Sequence, residues 1–521
     1  MSSSGTSRHF AALDIGSNSF NLSLVRIRED GQWEMVGRHK ETVRLAHDLD
    51  ADGERLSPEA MDRGVEALGR CLEYARGYDA PVRAVATSAV REARNRQEFL
   101  DRVRAAYGLE VEVVSGHEEA RLIWMGLQAD PTLSQRRAFS FDIGGGSVEF
   151  CVGTGEDLQF ASSLPLGGVR LAGRFFPDGD VSPKALKQCR EWVQGRLEPI
   201  VRALRTFRWD LSLATAGTVG ALMRMVVMRR EGHVPLRLSG SCATGEELLA
   251  VCREVCATRS VKARRKLPGM DEKRADILPA GAVVVETLVK SLSLTNLEWR
   301  DSGVREGVVR DYLERESHVG KAPELGSWRR RGVTSLADSF SLDRDHDRQV
   351  ERLSRELFLQ LSEPLRLDEN AGELLEAAAQ LHEVGLRIGF DEHHKHSYYV
   401  VRHSHLLAGF VDREIEMIAQ VARYHRKSHP KPSHPQWMAL SETDRRIVSC
   451  LSGILRVADG LDRRHQGAVA GVKAHRGEGG WVLVVQARNG DETGMEIWAA
   501  DSKKALLEEC LGGPVTLVPA A

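Results

Sequence analysis

The chain has 521 residues, which at about 100–200 residues per domain is enough for three or four domains. Hydrophobic residues make up 42% and charged residues 28%, which excludes a mainly disordered, collagen-like or fibrous protein. Lys+Arg (72) and Asp+Glu (74) leave a net charge of −2, so an anionic partner must be held by local patches and not by the overall field.

Phe10–Leu13 is a short apolar run, and Phe20, Leu22 and Leu24 alternate with Asn21 and Ser23, which predicts a strand. Pro58 follows Ser57 and precedes Met61, Val65, Leu68 and Leu72 at helical spacing, which predicts a helix with proline in its first turn. Val82–Ala86 and Val111–Val114 read as further strands. Residues 135–310 repeat the alternation, with strands at Ala138–Phe141 and at Val148, Phe150 and Val152, and helices at Pro183–Leu204 and Gly245–Thr258. The mixture predicts an α/β layered fold. Asp14-Ile15-Gly16-Ser17-Asn18-Ser19 resembles Asp142-Ile143-Gly144-Gly145-Gly146-Ser147, each between two strands, which predicts a duplication. From about residue 311 the text is mostly helical, as in Val350–Leu361 and Ala371–Leu381, after a polar, basic junction at Ser317–Gly332. His429–Pro435 reads as a stiff loop. Trp481–Gln486 and Met495–Trp498 are predicted strands flanking a turn at Asn489-Gly490, giving a small mixed C-terminal unit.

Eight cysteines with no CxxC pair argue against a disulfide framework or a four-cysteine zinc site and point to the reducing cytosol. No apolar run approaches the roughly 18–20 residues needed to span a bilayer. The Ser-rich stretch Met1–His9 has no signal-peptide core and reads as a frayed leader.

The two Asp-Ile-Gly loops carry the chemistry. Glycines let backbone N–H groups approach phosphate oxygens, and Ser17, Asn18, Ser19 and Ser147 add side-chain donors. Asp14 and Asp142 at strand ends can hold Mg²⁺ directly or through water. Glu149 follows Ser147 by two and shares its strand face. The Gly144–Gly146 run leads into a strand and no GxGxxG is present, so it is not a dinucleotide fingerprint. Ser115 and Glu118 form the pattern of a capping box, which leaves Glu119, in the first helical turn, as a candidate base for water. Arg91 could clamp phosphate oxygens, and the turn containing Gly217 and Thr218 suits a second phosphate or a nucleotide moiety.

These loops, the Ser115–Leu122 segment and Arg305-Glu306-Gly307 resemble the exopolyphosphatase / guanosine pentaphosphate phosphohydrolase (Ppx/GppA) family, within the superfamily of actin, sugar kinases and chaperone ATPases. The resemblance is strong over residues 8–310 and continues through Leu381–Gly385 and Arg423–Lys427, as in the long bacterial form. It implies two actin-like, ribonuclease H-like α/β domains at 8–126 and 127–310, an all-α HD-like domain at 311–470 and a small α+β unit at 471–521. It implies Mg²⁺-assisted removal of a terminal phosphate by water. Glu119 would be the catalytic base and Arg91 would hold the reacting group. Asp14, Asp142 and Glu149 would bind or position the metal, while Ser17–Ser19, Gly144, Gly145, Gly146 and Ser147 cradle phosphates. The implied substrate is inorganic polyphosphate, or alternatively guanosine pentaphosphate. The implied protein is a cytoplasmic homodimer without a nucleic-acid partner, and peripheral membrane association stays open. A kinase of the same superfamily and a non-catalytic polyphosphate or nucleotide sensor are the other readings.

A long polyanion needs a basic track, and Arg259–Lys266, Arg329–Arg331, His393–His396 and Arg423–Lys427 are its candidates. Eleven of the 18 histidines lie between His382 and His475. The helical region resembles the HD phosphohydrolase fold, whose metal set His346, His382 and Asp459 could partly fill. Glu383 stands where an Asp is expected, so a degenerate domain acting as scaffold and substrate platform is expected.

Overall fold

The matched apolar runs become the middle strands of two sheets in a computed structural model that describes residues 8–28, 32–46, 55–128, 131–317, 327–404, 406–407, 409–488 and 490–520. The predicted leader (apart from Arg8 and His9), most of the 317–332 junction and Asn489 of the predicted turn lie outside the described residues. The chain forms two compact units, Met1–Ser317 and His318–Ala521.

In the first unit the strands are β1 (Arg8–Ile15), β2 (Ser19–Ile27), β3 (Trp33–Thr42), β4 (Val82–Ala86), β5 (Val111–Val113), β6 (Ala138–Ile143), β7 (Val148–Thr154), β8 (Asp157–Leu164), β9 (Leu211–Thr215), β10 (Cys242–Thr244) and β11 (Asn296–Trp299). One sheet runs β3-β2-β1-β4-β5 and the other β10-β11-β9-β6-β7-β8. In each, the strand that ends at the Asp-Ile-Gly loop pairs antiparallel with the next strand and parallel with the one after the first crossover. The register sets Asp14 opposite Asn21 and Asp142 opposite Glu149, so the duplication extends to single residues. β6 is buried along its whole length, Ser140 and Asp142 included.

Local chemistry sets the helix ends. Ser57 Oγ accepts from Ala60 N at 3.1 Å and Pro58 opens the helix Pro58–Arg76. Thr244 and Glu247 close a capping box on the helix Gly245–Ala257. The helix Gly116–Leu127 is buried throughout from Glu118 onward and lies against the helix Val304–Ser317. Their close approach depends on glycine: a Cβ at Gly307 would lie 1.8 Å from the Leu122 carbonyl oxygen, and one at Gly126 2.5 Å from that of Gly303. Gly307→Ala is therefore expected to cost about 1–3 kcal/mol, read as a shift in urea midpoint.

The expected capping box at Ser115 is only half realised in the way foreseen. Ser115 Oγ accepts from Glu118 N at 3.1 Å. The Glu118 carboxylate is instead held by the fully buried Arg121, at 2.8 and 2.6 Å. Asp311, on the helix Val304–Ser317, accepts from Arg121 and Arg83, each at 2.6 Å.

In the second unit, helices and a sheet of β12 (Val469–Gly477), β13 (Gly480–Ala487) and β14 (Val515–Pro519) share one core, with Val472, Leu483 and Leu517 packed among Leu353, Leu381 and Ile454. Residues 471–521 thus do not stand apart from the helices, and the divisions expected at 126/127 and 310/311 fall inside the helices Gly116–Leu127 and Val304–Ser317. The strand expected at Met495–Trp498 is part of a helix, Gly494–Asp501. Its Glu496 is buried against Arg464 at 2.7 and 2.9 Å, and its alanines pack on Gly460. β13 pairs instead with β14, in parallel.

Two of the expected basic runs are partly internal. Arg264 is fully buried and donates to the carbonyls of Ala275, Thr258 and Arg259 at 2.7–2.9 Å. Arg329 is buried and gripped by both oxygens of Glu414. Neither is free for a polyanion track. Among the described residues, no helix is long and apolar enough to cross a membrane.

Candidate active site

The two Asp-Ile-Gly loops are the same turn built twice. Gly16 N donates to Ser19 O at 3.3 Å, and Gly144 N to Ser147 O at 3.0 Å. The loops meet tip to tip. A Cβ on Gly145 would lie 3.1 Å from Asn18 Cβ, and one on Gly146 only 2.4 Å from Ser17 Oγ. Gly145 and Gly146 are therefore required for this loop contact.

Around this contact lies a cavity of about 230 Å³. Asp14, Ser17, Asn18, Ser19, Glu119, Asp142, Gly144, Gly145, Gly146, Ser147 and Gly217 all line it, so most of the residues singled out from sequence come together. Arg91, Glu149 and Thr218 stand behind the lining. Arg91, expected to hold the reacting group, does not line the cavity; its Nη1 donates to Glu119 Oε2 at 2.7 Å and to Val114 O at 3.1 Å. Glu149 is buried and accepts from Ser163 Oγ at 2.7 Å. A larger hollow of about 770 Å³, along Arg205–Ser212 and Ser291–Asn296, contains none of these groups.

The electrostatics are those of crowded carboxylates. Burial first, then the charge of Glu119, pushes Asp14 up to about 7. Asp142 is pushed up to about 7 by burial, with Glu119 adding, against a hydrogen bond from Thr215 that lowers it. Glu149 is raised well above the usual carboxylate range by burial, Glu119 and Asp142. Burial also raises Glu119, while Arg91 opposes the shift. Such a cluster is stabilised by a cation, and its all-oxygen donor set suits a hard divalent ion.

The same cavity is lined by three cations that the sequence had not assigned to the site: Lys40, Arg274 and Arg305. Lys40 is held below its usual value by burial and by the like charges of Arg274 and Arg305, an arrangement relieved by an anion. Arg305 belongs to the Arg305-Glu306-Gly307 motif. Lys40, on β3, and Arg274, in a short 3-10 turn, carry no local signal, because only the fold brings them to the cavity.

Residues 24–316 match the Ppx/GppA phosphatase family, and residues 328–493 match Ppx/GppA phosphatase, domain III. The chain is 30% identical over 471 residues to the guanosine-5'-triphosphate,3'-diphosphate pyrophosphatase of Vibrio vulnificus, covering 89% of both chains. An exopolyphosphatase structure from Cytophaga hutchinsonii is similar with a TM-score of 0.54 and 25% identity, over 59% of this chain and 98% of that one. An Aquifex aeolicus member of the Ppx/GppA family shares the fold at a TM-score of 0.51 and 24% identity, over 60% of this chain and 100% of that one. With both of its units matched and a relative similar along nearly its whole length, the chain belongs to the Ppx/GppA phosphatase family.

Proposed function

We propose that the chain releases terminal orthophosphate from inorganic polyphosphate, with water as acceptor. Membership of the family makes it a phosphoanhydride hydrolase, which sets aside the kinase and sensor readings. The observation that carries the hydrolytic part of this reading, common to both substrates, is that Glu119 shares one cavity with both loops and both strand-end aspartates. Phosphoryl transfer asks mainly for positioning and charge neutralisation. The loop N–H groups and Ser17, Asn18, Ser19 and Ser147 hold the terminal phosphates. Lys40, Arg274 and Arg305 offset their charge. Glu119, aimed by Arg91, orients a water and takes its proton. Asp14 and Asp142, with Glu149 behind, would hold Mg²⁺, which supplies further neutralisation of the transferring group. The homodimer and the cytoplasmic location implied by the resemblance form part of this reading.

The second reading, conversion of guanosine pentaphosphate to the tetraphosphate, is favoured by the similarity to the V. vulnificus protein along most of both chains. Phosphate release from long polyphosphate and from guanosine pentaphosphate, measured side by side with and without Mg²⁺, decides between them. A higher kcat/KM on polyphosphate is expected, and the reverse ratio selects the nucleotide.

Metal linkage gives a separate expectation. Asp14 and Asp142 bind protons more tightly folded, at about 7, than unfolded. Without a divalent cation their contribution to stability is therefore lost as pH rises from the unfolded carboxylate value, about 4, towards 7. The increase in Tm on adding Mg²⁺ should grow across the same window. A Tm increment independent of pH would remove these aspartates from the metal site.

A further inference from the structure

The hollow of about 770 Å³ in the first unit lies at the other end of its sheet from the cavity that holds Glu119. Leu211 and Asn296, the first residues of β9 and β11, line it. Thr215, the last residue of β9, instead hydrogen-bonds Asp142 in the Glu119 cavity. At roughly 3.3 Å per residue, β9 sets the two places about 13 Å apart. No residue lines both. The hollow falls within the range of about 300–1,000 Å³ that small-molecule sites occupy.

Three guanidinium groups converge on this hollow with no carboxylate to meet them. Arg136 Nη2 donates to the carbonyl of Asp210 at 3.0 Å, and Arg205 Nη2 to that of Ser291 at 3.3 Å. Among the described residues, neither forms an ion pair, and the Arg208 side chain forms neither an ion pair nor a hydrogen bond. Arg83, Arg190 and Arg229 of the same unit each face a carboxylate, so three arginines without one in a single hollow is a departure. The two acids of the lining are engaged elsewhere. Asp210 accepts from Arg137 N at 3.3 Å, and Glu298 pairs with Arg300. A concave wall with this excess of positive charge attracts an anion, in a chain whose net charge of −2 attracts none. The planar fork of arginine matches phosphate oxygens.

The lining is also aromatic and hydroxylic. Phe207 and Trp209 are half-buried, and the Trp209 ring packs on buried Phe139 with centroids 4.9 Å apart. Trp209 Nε1 donates to Ser212 Oγ at 3.0 Å, which fixes the plane of the indole. A ring backed and tethered in this way is a stacking surface for a planar base. Ser291, Ser293 and Thr295 bring hydroxyls with no hydrogen-bond partner among the described residues. Ser293 holds a φ of 52°, a left-handed conformation that glycine adopts more readily. Backbone strain of this kind gathers at ligand sites.

We propose that this hollow is a second ligand site that takes a nucleoside di- or triphosphate, with the phosphates on Arg136, Arg205 and Arg208 and the base against Trp209. An inorganic phosphate chain would satisfy the arginines and leave the aromatic part of the lining unused. The nucleotide accounts for both.

The test uses the wild-type full-length protein and α,β-methylene-ADP, whose bridging carbon resists hydrolysis. Hydrogen exchange read by mass spectrometry is expected to show protection of residues 205–212 and 291–296 when the analogue is added, and calorimetry gives its affinity. Substituting both Arg136→Ala and Arg208→Ala, at exposed positions, should weaken that binding by about 10-fold or more. The same variant should keep the wild-type kcat for phosphate release. Methylenediphosphonate and adenosine, each alone, should bind more weakly than the joined molecule. Protection confined to the Glu119 cavity, or equal affinity in the double variant, overturns the site. Methylenediphosphonate binding as tightly as the analogue overturns the assignment to a nucleotide.

Discussion

Glu119→Gln is expected to lower kcat for phosphate release by about 10²–10⁴-fold while substrate binding stays measurable. The side chain lines the cavity, and Arg91 holds only one of its carboxylate oxygens, at 2.7 Å. Glutamine keeps the size and can still accept from Arg91 through its carbonyl oxygen, but it cannot take a proton from water. The substitution thus separates chemistry from positioning. Single-turnover phosphate release, with binding followed by calorimetry, reads both quantities. Unchanged turnover would remove Glu119 from the mechanism. Equal loss of turnover and binding would make it a substrate contact.

Asp311→Ala should be the most damaging substitution outside the cavity, costing about 3–5 kcal/mol, because it strands buried charge. Asp311 spans Arg83 and the fully buried Arg121, and the same Arg121 grips Glu118 beside the catalytic candidate. Against its burial, Arg121, Arg315 and Arg83 together hold the Asp311 carboxyl well below the usual carboxylate range. Its contribution is therefore complete above the unfolded value and lost as pH falls through the folded one. The gap between wild type and variant in chemical unfolding should stay constant at neutral pH and narrow in strong acid. A cost under about 1 kcal/mol, the size of an exposed pair, would mean that water reaches the cluster.

What was legible in the sequence followed locality. Ser57-Pro58, the strand runs of the first unit and the paired Asp-Ile-Gly turns each depend on a few neighbouring residues, and each is present in the structure. Lys40 and Arg274 were not legible, since they stand far apart in the chain and only the assembled fold brings them to one cavity. Arg264 and Arg329 misled for a different reason. Within a charged run each reads as solvated, yet carbonyls and Glu414 supplied by distant segments pull each one inside. Met495–Trp498 is four residues long, too short for alternation to be told from helical spacing, and Glu496 found its partner in Arg464. His346, His382, Glu383 and Asp459 were legible as a group, whereas the approach of His393 and His425 to Glu383 was not.

The interlocked tips at Gly145–Gly146 and Ser17–Asn18 bear on selectivity. On the proposed reading, the niche of about 230 Å³ around them takes the terminal phosphates of the substrate. On that reading the site takes termini, and whatever is attached behind them trails into solvent or onto other surfaces. Preference among substrates that share one terminus must then be written outside the niche, and could change during evolution without altering a single group that performs the hydrolysis.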